Sequence, residues 1–413
     1  MDVVKAMLDS TGPPATSECC IYRVPFNIRK LNQDAYTPSV VSIGPFHHNH
    51  PRLQNMERHK LIYFKKFLER AASDATLDTL ITYVEEAEPS VRRCYADTIE
   101  FTKEELVKVI LVDSCFIIEL FLRSCIGGER WEDDNILSKT WLRATIELDL
   151  VLLENQLPFF VLENLYDRAF TSHIGTIPSF LVLTFQYFTF FNSCKLASDN
   201  VTIRHFTDLL RFFCLQHPPE RRPPRTKQPP THRHSATELL EAGVRFKVNN
   251  SKTNCLLDLK FSRGVLEIPQ FRAEDLITEL KFRNLIALEQ CHYPLESYIT
   301  DYVTVLDFLI NTSKDVDVMV QSGVLVNWLG DSDSVANLYN GLVKNIAQAE
   351  FSSHYFQLFQ DLNAFCRDPR HILRATLRRD YGNTPWQAAA SIAGIVLLLL
   401  SLLQSVCSVL QVV

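Results

Sequence analysis

The apolar positions in the first half of the chain repeat with the period of an α-helix. A capping box, Thr102 with Glu105 three residues later, marks the start of one such helix. Asp113 lies on its apolar face, so this carboxyl group must find a partner if the face is buried. The residues that share the face are Leu106, Val109, Ile110, Asp113, Phe116, Ile117, Leu120 and Phe121.

A second stretch, residues 141–166, is apolar on nearly every side, which is typical of a helix inside the core. Pro158 should break or kink this helix because proline has no amide hydrogen. Three polar residues, Glu154, Asn155 and Gln156, come just before it and need partners if they are buried. A structural network is the favoured interpretation. The alternative is a buried acid, Glu154 or Asp113, with a raised pKa in a pocket.

The second half of the chain predicts a small sheet followed by helices. A short helix over 237–242 ends at Gly243. The segments "VRFKVNN", "LLDLKF" and "VLEI" then alternate as strands do, and the last two are joined by a turn at 262–264. They predict an antiparallel meander, and helical periodicity returns from Ala273 onwards.

The last 26 residues, 388–413, carry no charged side chain. A helix of this length exceeds the roughly 30 Å of a bilayer core. Trp386 lies at its start, and Ile392, Leu398 and Leu402 lie within it. Basic residues at 374–379 favour the cytoplasmic side. The sequence therefore predicts a single-pass C-terminal anchor with the bulk of the chain cytosolic; the alternative is a buried C-terminal helix.

The fold class predicted from these patterns is mainly α: a large multi-helix domain with a small antiparallel β meander and a C-terminal transmembrane helix. Between the two halves, prolines and basic residues exclude regular structure and indicate a linker loop. A solvated insertion is favoured there over a site that recruits a partner or an anionic membrane. The predicted organisation is a flexible leader (1–18), an N-terminal helical part (19–216), the linker (217–235), a C-terminal part with the meander and helices (236–385), and the anchor (386–413).

Composition excludes several classes of function. The formal net charge is −6, so no basic field indicates nucleic acid. The 11 cysteines form no Cys-x-x-Cys pair, which argues against a zinc module or redox motif and favours a reducing compartment. No glycine-rich phosphate loop, nucleophile elbow or zinc-protease helix is present. The sequence predicts no cofactor and gives no catalytic residue.

The segment "GPFHHNHP", residues 44–51, raises the question of a metal site. His48, His50 and the nearby His59 are candidate ligands, since neutral imidazole binds zinc well. Neighbouring side chains of an extended chain point in opposite directions, so His48 and His50 share a face but need distant partners. The favoured interpretation is a loop, bracketed by Pro45 and Pro51, that these histidines shape by hydrogen bonding.

Taken together, several motifs resemble the plant domain-of-unknown-function 247 family (uncharacterised protein family 0481). They are the opening segment from "IYRVPFNIRKL" through "GPFHHNHP" to "HKLIYFKKFL", then "VDSCFIIELF", "LDLVLLENQLPFFVL", "TELLEAGVRF", "NLIALEQC" and "YGNTPW". The last departs slightly from the family's usual aromatic after the tyrosine. The matching residues singled out are Gly44, Pro45, His47, His48, Glu57, His59, Lys60, Asp113, Glu119, Glu154, Asn155, Gln156, Pro158, Phe159, Glu289 and Trp386.

The resemblance implies a plant-restricted, mainly helical protein with a C-terminal membrane segment and no established enzymatic activity. Some grass members are linked to self-incompatibility as recognition determinants, and the family offers no catalytic residues to transfer. We therefore predict a membrane-anchored component of protein–protein recognition or signalling with unidentified protein partners. The alternative is a membrane-tethered enzyme, possibly metal-dependent, that uses His48, His50 or His59 with Asp113 or Glu154; a third possibility is a membrane scaffold.

Overall fold

The structure is a computed structural model, and it describes residues 18–73, 75–126, 134–170, 177–199, 201–215, 219–249, 255, 257–369 and 385–412. Most of the predicted leader and residues 370–384, with their basic cluster, lie outside this range. Helix makes up 57% and strand 7%, which confirms a mainly α protein. The helices are α1 (Phe26–Arg29), α2 (Gln54–Arg70), α3 (Leu77–Cys94), α4 (Lys103–Cys125), α5 (Thr140–Asp149), α6 (Phe159–Phe170), α7 (Phe180–Tyr187), α8 (Phe206–Leu215), α9 (Ala236–Glu241), α10 (Asp275–Cys291), α11 (Tyr298–Leu309), α12 (Ser313–Gln321), α13 (Ser332–Leu342), α14 (Ser353–Arg367) and α15 (Pro385–Val412).

Short strands form three small sheets within the described residues. One sheet has the order β2-β4-β3, and the other two pair β1 with β7 and β5 with β6. The strands are β1 (Arg225–Lys227), β2 (Arg245–Val248), β3 (Lys260–Ser262), β4 (Val265–Ile268), β5 (Phe271–Ala273), β6 (Leu325–Asn327) and β7 (Phe351–Ser352).

The predicted antiparallel meander is wrong in one of its pairings. β4 lies in the middle of its sheet, antiparallel to β3 but parallel to β2. The predicted turn between β3 and β4 is present: Arg263 and Gly264 have φ of 50° and 74°, as a two-residue hairpin turn requires. Alternating apolar positions identify strands, but they do not determine which strands pair. The connection between β2 and β3 carries the chain to the far side of β4.

Helix α4 is the centre of the first half. Nearly every residue from Leu106 to Leu122 is buried, so burial extends well beyond the predicted stripe. The helix packs against α2, α3, α6 and α7. Its capping box is confirmed, because the Thr102 hydroxyl accepts from the Glu105 amide at 3.2 Å and the Glu105 carboxylate accepts from the Thr102 amide at 2.9 Å.

One hydrophobic core joins the two halves of the chain. A single cluster of buried apolar side chains extends from Cys20 to Leu362 in α14. Phenylalanine supplies much of it: the Phe121 ring stacks on Tyr187 with centroids 4.1 Å apart and lies 5.6 Å from Phe206. Each buried ring removes a large apolar area from water, so this cluster is the main source of stability.

The continuous helix expected over 141–166, broken only at Pro158, is wrong. Helix α5 ends at Asp149, and α6 begins at Phe159. In between, the Gln156 side-chain amide donates to the carbonyls of Leu150 and Leu152 at 2.7 Å each. Polar side chains here bond the backbone directly, and this competes with the helical pattern.

The proline-rich segment 217–235 contains a docked strand, contrary to the prediction of an irregular linker. β1 pairs antiparallel with β7. Arg225 is buried, and its guanidinium donates to both carboxylate oxygens of Asp301 at 2.8 and 3.1 Å. The Arg233 guanidinium lies 4.2 Å from the centre of the Phe308 ring. The basic character of the segment serves internal pairing in part, which composition alone does not reveal.

The predicted transmembrane helix over 386–413 is wrong. Across the described residues, no helix combines the length and the apolar character needed to cross a membrane. Leu398 and Leu402 are exposed in α15, whereas the side chains of Trp386 and Ile392 lie outside the described residues.

Buried His205, at the start of α8, connects this helix to the N-terminal segment. Its Nε2 lies 3.0 Å from the Cys20 carbonyl oxygen, and its Nδ1 accepts from the Asp208 amide. These two contacts fix a neutral ring with the proton on Nε2, because the carbonyl can only accept and the amide can only donate. Burial lowers the pKa of His205 to about 4.

We predict that His205 makes the protein sensitive to acid. Between its ordinary pKa and about 4, the unfolded state binds a proton that the folded state does not, so stability falls as the pH falls through this window. The loss amounts to roughly 3 kcal/mol at the acid end. Denaturant unfolding at pH 7, 5.5 and 4 should show a shallower decline for His205→Gln than for the wild type. Equal declines would contradict the prediction.

Candidate functional site: the polar network under the signature segment

Residues 38–51, which we call the signature segment, contain no strand or α-helix, so their backbone groups need other partners. Asp149, at the end of α5, supplies three of them. Its carboxylate accepts from the amides of Ser39, Val40 and Val41 at 2.7 to 2.9 Å. Burial raises the pKa of Asp149 to about 6, although the three amides oppose the shift.

Asn155 continues this support one step along the segment. Its Oδ1 accepts from the Ile43 amide at 2.7 Å, and its Nδ2 donates to the carbonyls of Val41 and Asp149 at 3.0 and 2.9 Å. The side chain is fully buried and uses both its acceptor and its donors. The sequence prediction that Asn155 belongs to a structural network fits this geometry.

Asp113, on α4, supports the segment from the other side. One carboxylate oxygen accepts from the Gly44 amide at 2.8 Å, and the other accepts from Lys60 Nζ at 2.7 Å. Lys60 is fully buried and also lies 2.7 Å from Glu57. Burial alone would lower the pKa of Lys60, but the two carboxylates outweigh it and raise that pKa. Asp113 thus has the partner that its place on an apolar face demands.

Gly44 brings the backbone of the signature segment close to the backbone of Gln156. Its φ is 72°, which favours glycine, and an added Cβ would lie 2.6 Å from the Gln156 carbonyl oxygen. The Tyr95 hydroxyl donates to the same carbonyl at 2.8 Å. The side chain of Gln156 extends this contact to α8, because its Oε1 accepts from the Phe206 amide at 2.8 Å.

Glu154 forms a cluster with His47 and Arg29. Its carboxylate accepts from the Val24 amide at 2.8 Å, forms an ion pair with Arg29 and lies 3.2 Å from His47 Nε2. Burial would raise the pKa of Glu154, but the contacts from His47, Arg29 and the amide together hold it below its ordinary value. The alternative interpretation of a raised pKa is therefore wrong at Glu154, whereas burial does raise the pKa of Asp113 despite its contact with Lys60.

The three candidate metal ligands do not converge. His48 packs edge-on against Phe101 with ring centroids 5.8 Å apart, and His50 begins the 3₁₀ turn at 51–53. His59 is half-buried on α2. In the part of the chain that the structure describes, no three His, Cys, Asp or Glu side chains lie close enough to hold a metal ion. Within the signature segment, the histidine that contacts an acid is His47, whose partner is Glu154.

The other acids of the predicted set form two more clusters. Buried Glu119 accepts from Arg70 at 3.1 Å and from Arg123 at 2.8 Å. Buried Glu289 accepts from the Thr300 amide and hydroxyl at 2.8 and 2.7 Å and lies 3.4 Å from Arg211. Among the other members, Pro45 precedes Phe46, whose ring lies edge-on to Tyr95 with centroids 5.2 Å apart. Pro158 lies directly before α6, and the Phe159 amide donates to the Arg204 carbonyl at 2.7 Å.

Comparisons with known proteins match nearly the whole chain. A family profile described as a plant protein of unknown function matches residues 21–400. The chain belongs to the domain-of-unknown-function 247 family. It is similar to UPF0481 protein At3g47200 of Arabidopsis thaliana, with 28% identity across 98% of this chain and 88% of the relative. It is also similar to putative UPF0481 protein At3g02645 of the same plant, with 23% identity across 93% and 89%. No solved structure matches the chain.

The family match confirms the resemblance, but it carries no assigned activity. The acids of the network contact other groups of the protein. Asp113 and Asp149 accept from backbone amides, and Glu154 accepts from the Val24 amide and forms an ion pair with Arg29. Asp149 and Arg29 were not singled out from the sequence. The available signal was an acid at the end of an amphipathic helix, directly before an apolar turn.

We predict that Gly44→Ala destabilises the protein by more than about 2 kcal/mol, since it adds both backbone strain and a clash with a backbone oxygen. Gly330→Ala is the matched control, because Gly330 has φ of 95° but nothing within 4 Å of the added Cβ. That control should cost about 1 kcal/mol. Denaturant unfolding of both variants tests the difference, and equal losses would contradict it.

We also predict that Lys60→Met costs about 3–5 kcal/mol, because it leaves the buried Asp113 carboxylate without its cation. Adding Asp113→Asn should recover much of this loss, since the amide oxygen still accepts from Gly44 without a charge. Lys66→Met is the control: it removes a cation paired with Glu69 on the same helix, but in solvent. Chemical denaturation should show little change there, and a similar loss at both lysines would refute the prediction.

Proposed function

We propose that this protein acts in protein–protein recognition, and that the partner binds at a cleft beside β5. The cleft has a volume of about 630 Å³. One wall is the turn at Phe190 and Phe191, and the other is β5 with the start of α10, where Arg272 and Lys281 lie. This size suits an inserted side chain or a short peptide segment.

The observation that carries the proposal is an exposed tryptophan next to Arg272, a residue that lines this cleft. Trp328 follows β6, is 67% exposed, and its amide donates to the Ala273 carbonyl at 2.9 Å. The Arg272 guanidinium lies 5.9 Å from the centre of its ring. Tryptophan and arginine are the residues most enriched at the energetic centres of protein interfaces.

Other exposed apolar groups lie in or directly beside the chain segments that line the cleft. Phe190 is 55% exposed in the cleft wall, and Leu276 is 53% exposed in the first turn of α10. Two cations, Arg272 and Lys281, face one anion, Glu274, which leaves one positive charge in the cleft. An apolar side chain flanked by an acidic group complements this surface.

The experiment compares proximity labelling in plant cells for three N-terminally tagged proteins: the wild type, Trp328→Ala with Arg272→Ala, and Trp141→Ala. Trp141 is 65% exposed at the start of α5, so its substitution controls for loss of an exposed indole. We expect the double variant to lose a discrete partner set that the other two retain. Truncation at an interface centre costs about 2 kcal/mol, equivalent to roughly thirtyfold in affinity.

Circular dichroism must show that the double variant melts with the wild type, since a folding defect would also remove partners. The affinity of any captured partner for the purified proteins is then measured directly. Identical partner sets for all three proteins, or equal affinities, would show that this cleft is not the recognition surface.

A further inference from the structure

Two cysteines far apart in sequence lie side by side near the N-terminus. The Cys20 and Ile21 amides both donate to the Cys94 carbonyl at 2.9 Å, and Ile21 pairs with Tyr95 in a parallel bridge. Cys20 and Cys94 each precede the bridged pair by one residue. Laterally paired strands lie about 4.8 Å apart, and disulfides span Cα separations of about 4.4–6.8 Å. The backbone therefore has the spacing that a disulfide needs.

Both cysteine side chains are buried at this bridge, and the Cys94 Sγ donates to the Ser90 carbonyl oxygen at 3.4 Å. Interaction with the Cys20 thiol lowers the pKa of Cys94, although burial opposes it, and interaction with Cys94 together with burial raises the pKa of Cys20. Because the thiolate is the reacting form, Cys94 is the more nucleophilic of the two.

Both cysteines line one small pocket. It has a volume of about 360 Å³, and its lining includes Cys20, Cys94, Ser90 and Phe160 together with one cation, Arg204, and one anion, Glu18. A hydroperoxide, which is small and uncharged, fits a pocket of this size and charge. By contrast Cys214 and Cys255 are also close, with the Cys255 Sγ 4.0 Å from the Cys214 carbonyl, but neither lines this pocket.

We infer that Cys20 and Cys94 form a reversible thiol-oxidation site that takes a hydroperoxide as its oxidant. The Cys94 thiolate attacks one peroxide oxygen, the O–O bond breaks, and Cys94 becomes a sulfenic acid while hydroxide leaves and takes up a proton. The Cys20 sulfur then attacks the sulfenic sulfur, and the S–O bond breaks with release of water. In total two thiols and one hydrogen peroxide give one disulfide and two waters.

Oxidation at this site would link the N-terminal segment covalently to the end of α3. That segment leads through Val24, whose amide donates to Glu154, into the signature segment. The disulfide would therefore constrain the N-terminal segment at the point where it enters the polar network. A thiol reductant would reverse it.

The test treats the full-length protein with hydrogen peroxide, alkylates the remaining thiols and maps disulfides by tandem mass spectrometry. We expect a Cys20–Cys94 link that dithiothreitol removes, formed on the order of tenfold or more faster than oxidation of Cys214 or Cys255. Cys19→Ser should retain the link, because neighbouring side chains of an extended chain point in opposite directions. This variant also distinguishes Cys20 from its neighbour in the same peptide.

A second variant tests the order of steps. In Cys20→Ser, dimedone should trap a sulfenic acid at Cys94, since no resolving thiol remains. The wild-type map is decisive even if a variant fails to fold. Two alkylated thiols at Cys20 and Cys94 after peroxide treatment would overturn the inference. So would a link to other cysteines, or oxidation of Cys214 and Cys255 at the same rate.

Discussion

The structure depends on the cost of burying backbone amides in a segment that forms neither strand nor α-helix. Such groups lose their hydrogen bonds to water and must regain them from protein. Across the signature segment the acceptors are side chains: Asp149 serves three consecutive amides, Asn155 serves Ile43 and Asp113 serves Gly44. These three acceptors come from different parts of the core. By binding all of them, the signature segment fixes the positions of those parts relative to one another.

This requirement explains why charged residues occur inside apolar stretches. Asp113 is buried on α4 and Glu154 is buried in the turn before α6, where apolar residues would pack more cheaply. The charge of Asp113 is matched by Lys60 and that of Glu154 by Arg29, while His47 Nε2 lies 3.2 Å from the Glu154 carboxylate. A network of this kind specifies one arrangement of the chain, because any shift in register leaves a charge or an amide unpaired. The signature histidine therefore acts as a partner of an acid within the frame.

The sequence predicted the elements better than their connections. The capping box at Thr102 and the tight turn at Gly264 follow from local rules and are present. The need for a partner at Asp113 was also clear, but its identity depends on how α2 meets α4, which periodicity does not determine. The parallel pairing of β2 with β4 and the end of α5 at Asp149 depend on contacts between distant residues. Local propensity alone predicted an antiparallel pairing and a longer helix at these two places.

The polar network and the proposed recognition cleft beside β5 are built from different residues. Asp149, Asn155 and Asp113 of the network accept from backbone amides of the signature segment. Trp328 contributes little to the core, since most of its surface is in solvent, yet Arg272 holds a cation over its ring. Because contact with Arg272 already restrains the Trp328 ring, less conformational entropy is lost when a partner orders this side chain on binding. Substitutions in the cleft should therefore separate binding from stability, whereas those in the network should act on stability first.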